Sequence, residues 1–538
     1  MSAATVTEPA PHDTEADQGR RPAGWLFAGV LAVALPVILY QGREQWFFLD
    51  EWDFLAGREA DSVDDLLRPH NEHWSTLPIL VYRVLFRFVG LHHYWPYQLC
   101  VVLLHLGAAV LLRAVMRRAG VSPWIATAAV TLFALLGSGR QNITYAFQIG
   151  FTGSLTLGLA HLLLADHDGP LERRDALGLA CGLAGLLCSG VGVTMTVVVG
   201  VAVLLRRGPR MALVHVVPLA AIFLSWFVLY GREGYSSGGA SLGQAAGFVR
   251  TAAANTLGQL GQVRGMGFVL GALLLAGVGV TIFAMAQADL RTRYAATVGL
   301  LVGALLFLAI SGYGRAGIEL FGTFGQPRSS RYVHLLGAMA LPTMAAGASR
   351  LAGRRPLLVG LALVVLLIGL PGNVRALLPS GQDRFTLGSP EPVLTLPRLP
   401  LARQVPRDLH PIPFVAAEVT VGWLLDAAAA GRLPEPGVVP RDTRESAELG
   451  LSLSQQVGEP DGPCREVRQN GVATLRTGQV IVLPEGSTAV RRIVAGAERG
   501  AVAYFVGDNF GSAVRVEAGP LQLRFTPSTP LSKVRVCG

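Results

Sequence analysis

Long apolar runs alternate with short polar connections from about residue 24 to residue 372. A helix needs about 20 mainly apolar residues to span a bilayer, and about 17 is the practical lower limit. Eleven segments approach this length, at approximately 24–40, 96–116, 122–138, 144–165, 175–189, 191–206, 212–230, 266–286, 294–312, 332–348 and 355–372. The fifth and sixth form one apolar stretch that is too long for a single span and divides naturally at "CSGVG". The pattern predicts a polytopic α-helical membrane protein with about eleven transmembrane helices.

Residues 75–90 are apolar enough to resemble a further span, but they carry Arg83 and Arg87 four residues apart on one helical face. Their length suits an amphipathic helix that lies at the membrane surface. Counting them as a span would also invert every later loop. We therefore expect a juxtamembrane helix here.

Arginine is concentrated in alternate connections between the apolar segments. If the N-terminus is cytoplasmic, every connection on that side is short and contains arginine, as the positive-inside rule requires. These connections contain "RAVMRRAG", "DGPLERRD", "RRGPR", "DLRTR" and "SRLAGRRP". The pattern predicts a multi-pass plasma-membrane protein with a disordered cytoplasmic tail at 1–23 and a transmembrane domain at 24–372, whose first outer loop is 41–95.

Beyond residue 373 the composition changes. A proline-rich stretch is followed by "VTVGWLLDAAAAGRLPE", which predicts a short helix, and from about residue 466 by short alternating runs separated by Gly, Asp and Pro. We expect residues 373–538 to form an extracytoplasmic domain that is mainly β and resembles a sandwich. Cys464 and Cys537 either pair as a disulfide or remain two free thiols, since an oxidising compartment permits a bridge without requiring it.

Composition narrows the class of partner. The chain is 51% hydrophobic and 15% charged, with a mean hydropathy of +0.45. Its net charge of +9 comes almost wholly from arginine, because Lys533 is the only lysine. Arginines at membrane edges meet lipid phosphates, and the sequence contains no nucleic-acid-binding motif. Membrane lipids are therefore expected partners, and nucleic acid is not.

The first outer loop opens with three carboxylates among aromatic residues, in "WFFLDEWDFLAGREA". Asp61, Asp64 and Asp65 further along read as a solvated helix face. Asp50, Glu51 and Asp53 differ, because the Trp and Phe residues around them would sit in the headgroup zone. A carboxylate in a partly apolar setting has a raised pKa and can act as a general base.

The same loop continues with "RPHNEHWSTLPIL", which contains His70, Asn71, Glu72 and His73. This cluster has the chemistry to bind a sugar, to assist proton transfer or to hold a divalent cation. His-x-x-His spacing alone is common, and no further ligand stands at a recognised distance. The sequence therefore predicts no metal site and implies no cofactor, with a divalent cation left open as an alternative.

These motifs together resemble the GT-C membrane glycosyltransferases, and within them the protein O-mannosyltransferase and aminoarabinose transferase branch. In that branch a "DE" dipeptide follows the first span, and a proline-containing segment and a glycine turn follow the dipeptide. The counterparts in this chain are Asp50-Glu51, Leu77-Pro78-Ile79 with Tyr82, and Gly90. The paired short helices around "GLLCSGVGV" and the late "PRSSRY" are also similar. The chain departs from the branch in having "STLP" where a lysine-proline pair often stands, and in lacking lysine throughout its membrane part.

The resemblance implies a polyprenyl-phosphate-linked sugar donor, a glycan or other hydroxyl acceptor, and an inverting transfer outside the membrane. It implies that Asp50 is the catalytic base and that Glu51 orients the acceptor or tunes charge. We assign Asp53 and the 70–73 cluster to substrate binding. The leaving phosphate requires cations, and the candidates are Arg140, Arg328 and Arg331, each with headgroup binding as the alternative. For Arg328 and Arg331, a helical start would put both side chains on one face.

Two other classes of function remain open on the sequence. A transporter or flippase is one, although transporters tend to carry midplane charges and internal repeats, which are not evident here. A polymerase or ligase of surface polysaccharide is the other, although its key residues would be expected in a large late outer loop. The concentration of ionisable residues in the first outer loop favours the transferase.

Overall fold

The structure is a computed structural model of the chain. It describes residues 20–59, 61–234, 239–320, 323–324, 326–378, 390–456, 460, 462–467, 471–506, 512–529 and 533–538. Of the tail predicted at 1–23, only the last residues fall within these ranges, and they belong to the first helix. The remainder of the predicted tail lies outside the described residues.

The helices of the first half of the chain are α1 (Arg20–Gln41), α2 (Glu51–Leu55), α3 (Val63–Leu67), α4 (Thr76–Phe88), α5 (Trp95–Arg118), α6 (Pro123–Ala134), α7 (Gln141–Thr144), α8 (Ile149–Ala165), α9 (Arg173–Leu186), α10 (Val191–Arg207), α11 (Pro209–Trp226) and α12 (Leu242–Gly261). Those of the second half are α13 (Met266–Met285), α14 (Ala288–Arg315), α15 (Ser330–Ala352), α16 (Pro356–Leu367), α17 (Leu370–Ala376), α18 (Pro390–Thr395), α19 (Val421–Ala429) and α20 (Arg441–Leu451). A π-helical turn, Phe227–Gly231, continues α11.

Seven helices in the described part of the chain are long and apolar enough to cross a membrane. They are Arg21–Gln41, Trp95–Arg118, Ala146–Ala165, Pro209–Gly231, Met266–Met285, Ala288–Arg315 and Pro356–Ala376. The prediction of a helical membrane protein is therefore confirmed. Each of the other four predicted segments is also helical, as α6, α9, α10 and α15. The count of eleven spans stays a prediction.

The long apolar stretch in the middle of the chain is divided where the sequence indicated. Helix α9 ends at Leu186 and α10 begins at Val191. At Gly192 a Cβ atom would lie 2.6 Å from the carbonyl oxygen of Gly185, so only glycine permits this close turn. The "CSGVG" break therefore separates two short helices, as predicted, and both pack against α8.

Two pairs of histidines join helices of the first unit. His105 of α5 lies with Nδ1 2.9 Å from Nε2 of His334 on α15, and its own Nε2 is 3.1 Å from the carbonyl oxygen of Ala134. Because that carbonyl can only accept, His105 donates from Nε2 and accepts at Nδ1, and His334 must donate to it. His161 of α8 is 3.0 Å from His215 of α11. These contacts tie helices together within the bundle.

The described residues divide into two compact units. Those that fall within 1–43, 67–78 and 97–379 form the first, and those within 44–66, 79–96 and 380–538 form the second. This grouping differs from the predicted boundary at residue 373, because most of the first outer loop belongs with the C-terminal residues. The reason is aromatic packing inside the second unit. Trp423 of α19 meets Trp52 edge-on at 6.2 Å and stacks on Phe86 of α4 at 5.2 Å.

The second unit also contains a β-sandwich, as the alternating runs predicted. Its strands are β3 (Leu453–Gln456), β4 (Cys464–Val467), β5 (Val472–Leu475), β6 (Val480–Val482), β7 (Gly486–Val494), β8 (Ala497–Val506), β9 (Ala513–Val516), β10 (Leu521–Pro527) and β11 (Val534–Cys537). They follow a short pair in the first unit, β1 (Glu319–Leu320) and β2 (Thr323–Phe324). One sheet has the order β5-β10-β7-β8 and the other β3-β9-β6-β11-β4.

The register of the sandwich follows local turn chemistry and one covalent bond. Strands β7 and β8 are joined by Ala495 and Gly496, whose φ angles of 50° and 79° suit a tight hairpin turn. Inward residues of both sheets form one shared core, among them Tyr504 and Phe525 of the first sheet and Val514 and Val536 of the second. Cys464 and Cys537 are paired across β4 and β11 as a disulfide, which resolves the choice left open by the sequence.

Candidate active site

Asp50 and Glu51 are neighbours in sequence but face different environments. Asp50 stands at the N-terminal cap position of α2, and the residue before it, Leu49, has a φ of 39°. This left-handed conformation is rare for leucine and lies in the turn that leads into α2. Asp50 is exposed, whereas Glu51 is completely buried. The turn therefore presents one carboxylate to solvent and withdraws the other.

Three hydrogen bonds surround the Glu51 carboxylate. The hydroxyls of Tyr82 and Tyr94 donate to Oε1 at 2.5 and 3.1 Å, and the Phe48 amide donates to Oε2 at 2.9 Å. Burial raises the pKa of Glu51 to about 8 even though these bonds lower it, and the Asp50 charge adds to the rise. At neutral pH Glu51 is therefore mostly protonated. Its burial favours the second of its two predicted roles, tuning charge, over contact with an acceptor.

Asp53 is engaged by an arginine of its own loop. The Nε and Nη2 atoms of Arg58 each lie 2.8 Å from Oδ2 of Asp53, and Nη1 donates to the Asp65 carbonyl oxygen at 2.9 Å. Both side chains of the ion pair are almost fully buried. This network closes the loop after α2. The assignment of Asp53 to substrate stays a prediction, with the carboxylate already bound to Arg58.

We expect stability to depend on pH through Glu51. Between its ordinary pKa of 4.5 and its folded pKa of about 8, the folded chain holds a proton that the unfolded chain has released. Rising pH therefore favours unfolding over this range, and the stabilising contribution, fully present below pH 4.5, is lost through pH 8. The apparent melting temperature should fall between those pH values in the wild type and fall less in Glu51→Gln. Glu59→Gln, which removes an exposed acid, serves as the control, and equal slopes in all three proteins would contradict the assignment.

The 70–73 cluster forms a tight turn in the first unit. The backbone amides of His70 and His73 each donate to the other's carbonyl oxygen at 3.0 Å, and Asn71 between them has a φ of 51°. The His73 ring meets Phe151 edge-on at 5.2 Å. The turn directs Glu72 and His73 to the wall of a cavity, while His70 and Asn71 are not among the residues that line it.

The cavity lies within the first unit and has a volume of about 600 Å³. Its charged residues and its one histidine come from the 70–73 turn, the last residue of α14 and the first turn of α15: Glu72, His73, Arg315 and Arg331. Its apolar walls come from α8, α10, α11 with its π-helical turn, α14 and α15: Phe151, Val191, Val193, Phe223, Phe227, Phe307, Ile310 and Leu335. The cavity is therefore amphipathic, with cations at helix ends and aromatic side chains along the helices.

The three predicted arginines occupy different places within the first unit. Helix α15 begins at Ser330 with Ser329 as its cap, so Arg328 precedes the helix and is exposed. The expectation that Arg328 and Arg331 share one helical face is therefore wrong. Arg331 lines the cavity, with its guanidinium 5.6 Å from the Tyr332 ring. Arg140 donates to the Leu378 carbonyl oxygen at 3.1 Å and is not among the lining residues.

Sequence reasoning missed Arg315, which forms an ion pair with Glu72. It follows the apolar segment 294–312 after two residues, so it could be read as an ordinary flanking charge. The roles of Tyr82 and Tyr94 towards Glu51 were also missed, although Tyr82 was noted in the motif. Over the part of the chain that the structure describes, no group of three or more His, Cys, Asp or Glu side chains has the geometry to hold a metal ion.

Two solved structures of ArnT from Cupriavidus metallidurans are similar to this chain. The apo form matches with a TM-score of 0.43 and 14% identity, over 78% of this chain and 90% of that one. The form bound to undecaprenyl phosphate matches with a TM-score of 0.42 and 17% identity, over 75% and 85%. No protein-family model matches, and no curated protein is significantly similar in sequence. At these levels of similarity, the comparisons do not establish the family of the chain.

Proposed function

We propose that the protein transfers a sugar from a polyprenyl-phosphate-linked donor to a hydroxyl-bearing acceptor on the extracytoplasmic side of the plasma membrane. The observation that carries this proposal is the amphipathic cavity, in which Arg315 and Arg331 stand at helix ends and phenylalanines line the walls. A phosphate attached to a long apolar chain has the matching chemistry. The sequence resemblance to the GT-C transferases supports the same substrate class.

The donor phosphate binds at the charged end of the cavity. A guanidinium presents paired N–H donors whose spacing matches phosphate oxygens, and Arg331 is the arginine we assign first to this role. The isoprenoid chain lies along Phe223, Phe227 and Phe307, where its transfer from water is favourable. Arg140 and Arg328 lie outside the cavity lining and bind lipid headgroups in this proposal.

Asp50 is the general base of the proposed reaction. Its carboxylate takes the proton from the acceptor hydroxyl as that oxygen bonds to the anomeric carbon. The bond from that carbon to the phosphate oxygen breaks, and the lipid phosphate leaves with the electron pair. A single displacement of this kind inverts the anomeric centre. Glu51, buried and with a raised pKa, is the neighbour that tunes the charge of the pair in this proposal.

The acceptor in this proposal is a cell-envelope glycan, and the donated group is a hexose or pentose. The β-sandwich of the second unit contributes to acceptor binding in this proposal, on the basis of its architecture alone. The N-terminus is cytoplasmic and the sandwich extracytoplasmic, as the arginine-rich connections favour.

A turnover assay in proteoliposomes tests this function. The full chain is reconstituted with a panel of labelled polyprenyl-phosphate sugars and envelope glycans, and free polyprenyl phosphate is measured by mass spectrometry. We expect protein-dependent release of lipid phosphate together with a glycosylated product. Movement of intact donor between leaflets without cleavage would contradict the proposal and support a flippase.

A further inference from the structure

The charged end of the cavity already contains an anion of the protein itself. Glu72 pairs with Arg315, the last residue of α14, and both line the cavity. The side chain of Glu72 is 26% exposed to solvent, and that of Arg315 is 30% exposed. The pair is therefore partly buried and still in contact with the space of the cavity.

Arg331 differs from Arg315 in its partners. Its guanidinium faces the Tyr332 ring, and among the described residues it forms no ion pair with an acid. The lining thus contains two guanidinium groups, one carboxylate, the His73 imidazole and the phenol groups of Tyr313 and Tyr332. An anionic ligand that reached both arginines would meet one that is open and one that Glu72 already binds.

We propose that the Glu72 carboxylate occupies the position on Arg315 that a ligand phosphate would take. A phosphate-bearing lipid then binds by displacing that carboxylate from Arg315. This inference rests on the proposed function and concerns the regulation of the same cavity. A carboxylate and a phosphate offer the same pair of acceptor oxygens to an arginine fork, so one can replace the other. The two anions compete for Arg315, because like charges brought to one guanidinium repel each other.

The exchange also couples ligand binding to the first outer loop. Glu72 lies in the turn closed by the two hydrogen bonds between His70 and His73. The next residue, Trp74, stacks on Trp226 with ring centroids 5.0 Å apart. Release of Glu72 from Arg315 changes the position of this turn. The stacked Trp74 and Trp226 provide an intrinsic fluorescence signal for that change.

Binding of a C20 prenyl phosphate to the detergent-purified full chain tests the exchange. Affinity is measured for the wild type, Glu72→Gln, Arg315→Ala, Arg331→Ala and the double variant Glu72→Gln with Arg315→Ala. Glu435→Gln is the matched control, since it removes a glutamate from an exposed ion pair with Arg398. Inorganic phosphate and phosphatidylglycerol are measured as competitors, to separate a prenyl phosphate site from a general anion or headgroup site.

We expect Glu72→Gln to bind about threefold to tenfold more tightly than the wild type, because the competing anion is gone. The double variant should bind like Arg315→Ala, since Glu72 acts only through Arg315, and Glu435→Gln should bind like the wild type. Tryptophan fluorescence should change on binding in the wild type and change less in Glu72→Gln. Binding that requires Arg331 but is unchanged or weaker in Glu72→Gln overturns the exchange alone. Absence of binding in both the wild type and Glu72→Gln overturns the exchange and the proposed function together.

Discussion

Replacing Asp50 by Asn should lower the rate of sugar transfer about 10²-fold or more, the scale of a general-base contribution. Asparagine keeps the size of the side chain but cannot accept the acceptor's proton. Asp50 is exposed and asparagine has nearly the same shape, so the substitution should leave the fold intact. Turnover of labelled donor, measured beside the melting temperature of each variant, separates loss of chemistry from loss of structure.

Asp64→Asn is the matched control for Asp50→Asn. Asp64 is an exposed acid of the same loop, within α3. The Asp64→Asn protein should therefore transfer sugar at the wild-type rate. Wild-type transfer by purified Asp50→Asn protein would remove Asp50 from the mechanism. Equal losses in both variants would point to the loop's charge as a whole and not to one base.

Replacing Arg331 by Ala should weaken donor binding about tenfold to a hundredfold, the effect of losing hydrogen bonds to a charged group. Arg331→Lys should recover part of that loss, because an ammonium keeps the charge without the paired donors. The effect arises at the cavity, where Arg331 is part of the lining. The measurement is the donor dependence of transfer with a synthetic lipid-linked sugar.

Arg328→Ala provides the comparison for Arg331→Ala. Arg328 is exposed, precedes α15 and is not among the cavity-lining residues, so we expect the wild-type donor dependence. Unchanged affinity and turnover in Arg331→Ala would remove the phosphate site from this cavity. A loss in Arg328→Ala of the same size would restore the sequence-based assignment of both arginines.

The membrane helices were the most predictable part of the fold, because apolar length alone determines them. Helix α12 was not predicted, since Arg250 and Asn255 interrupt its apolar residues. Its burial repeats every four residues, at Phe248, Ala252 and Thr256 and beyond, and so depends on packing against other helices. In the sandwich, strand β3 was missed because "LSQQ" lacks the alternation that revealed the later strands.

The site was predictable in composition but not in arrangement. Asp50, Glu51 and Asp53 look alike in sequence, but their partners in the structure differ. Glu51 accepts hydrogen bonds from two tyrosines more than 30 residues away, and Asp53 binds an arginine five residues away. Tyr82 and Tyr94 come from later elements, so the burial of Glu51 depends on tertiary structure. The pairing of Glu72 with Arg315 joins residues far apart in the chain, which no local pattern reveals.

An experimental structure of the full chain in lipid nanodiscs with bound polyprenyl phosphate tests the central claim most directly. The claim is that the cavity of the first unit holds the donor's lipid phosphate. We predict a phosphate within about 3 Å of the Arg331 guanidinium, the distance of a charge-assisted hydrogen bond, with the isoprenoid chain along Phe223, Phe227 and Phe307. A phosphate bound at Arg140 or elsewhere on the membrane surface, with the cavity empty, would contradict it.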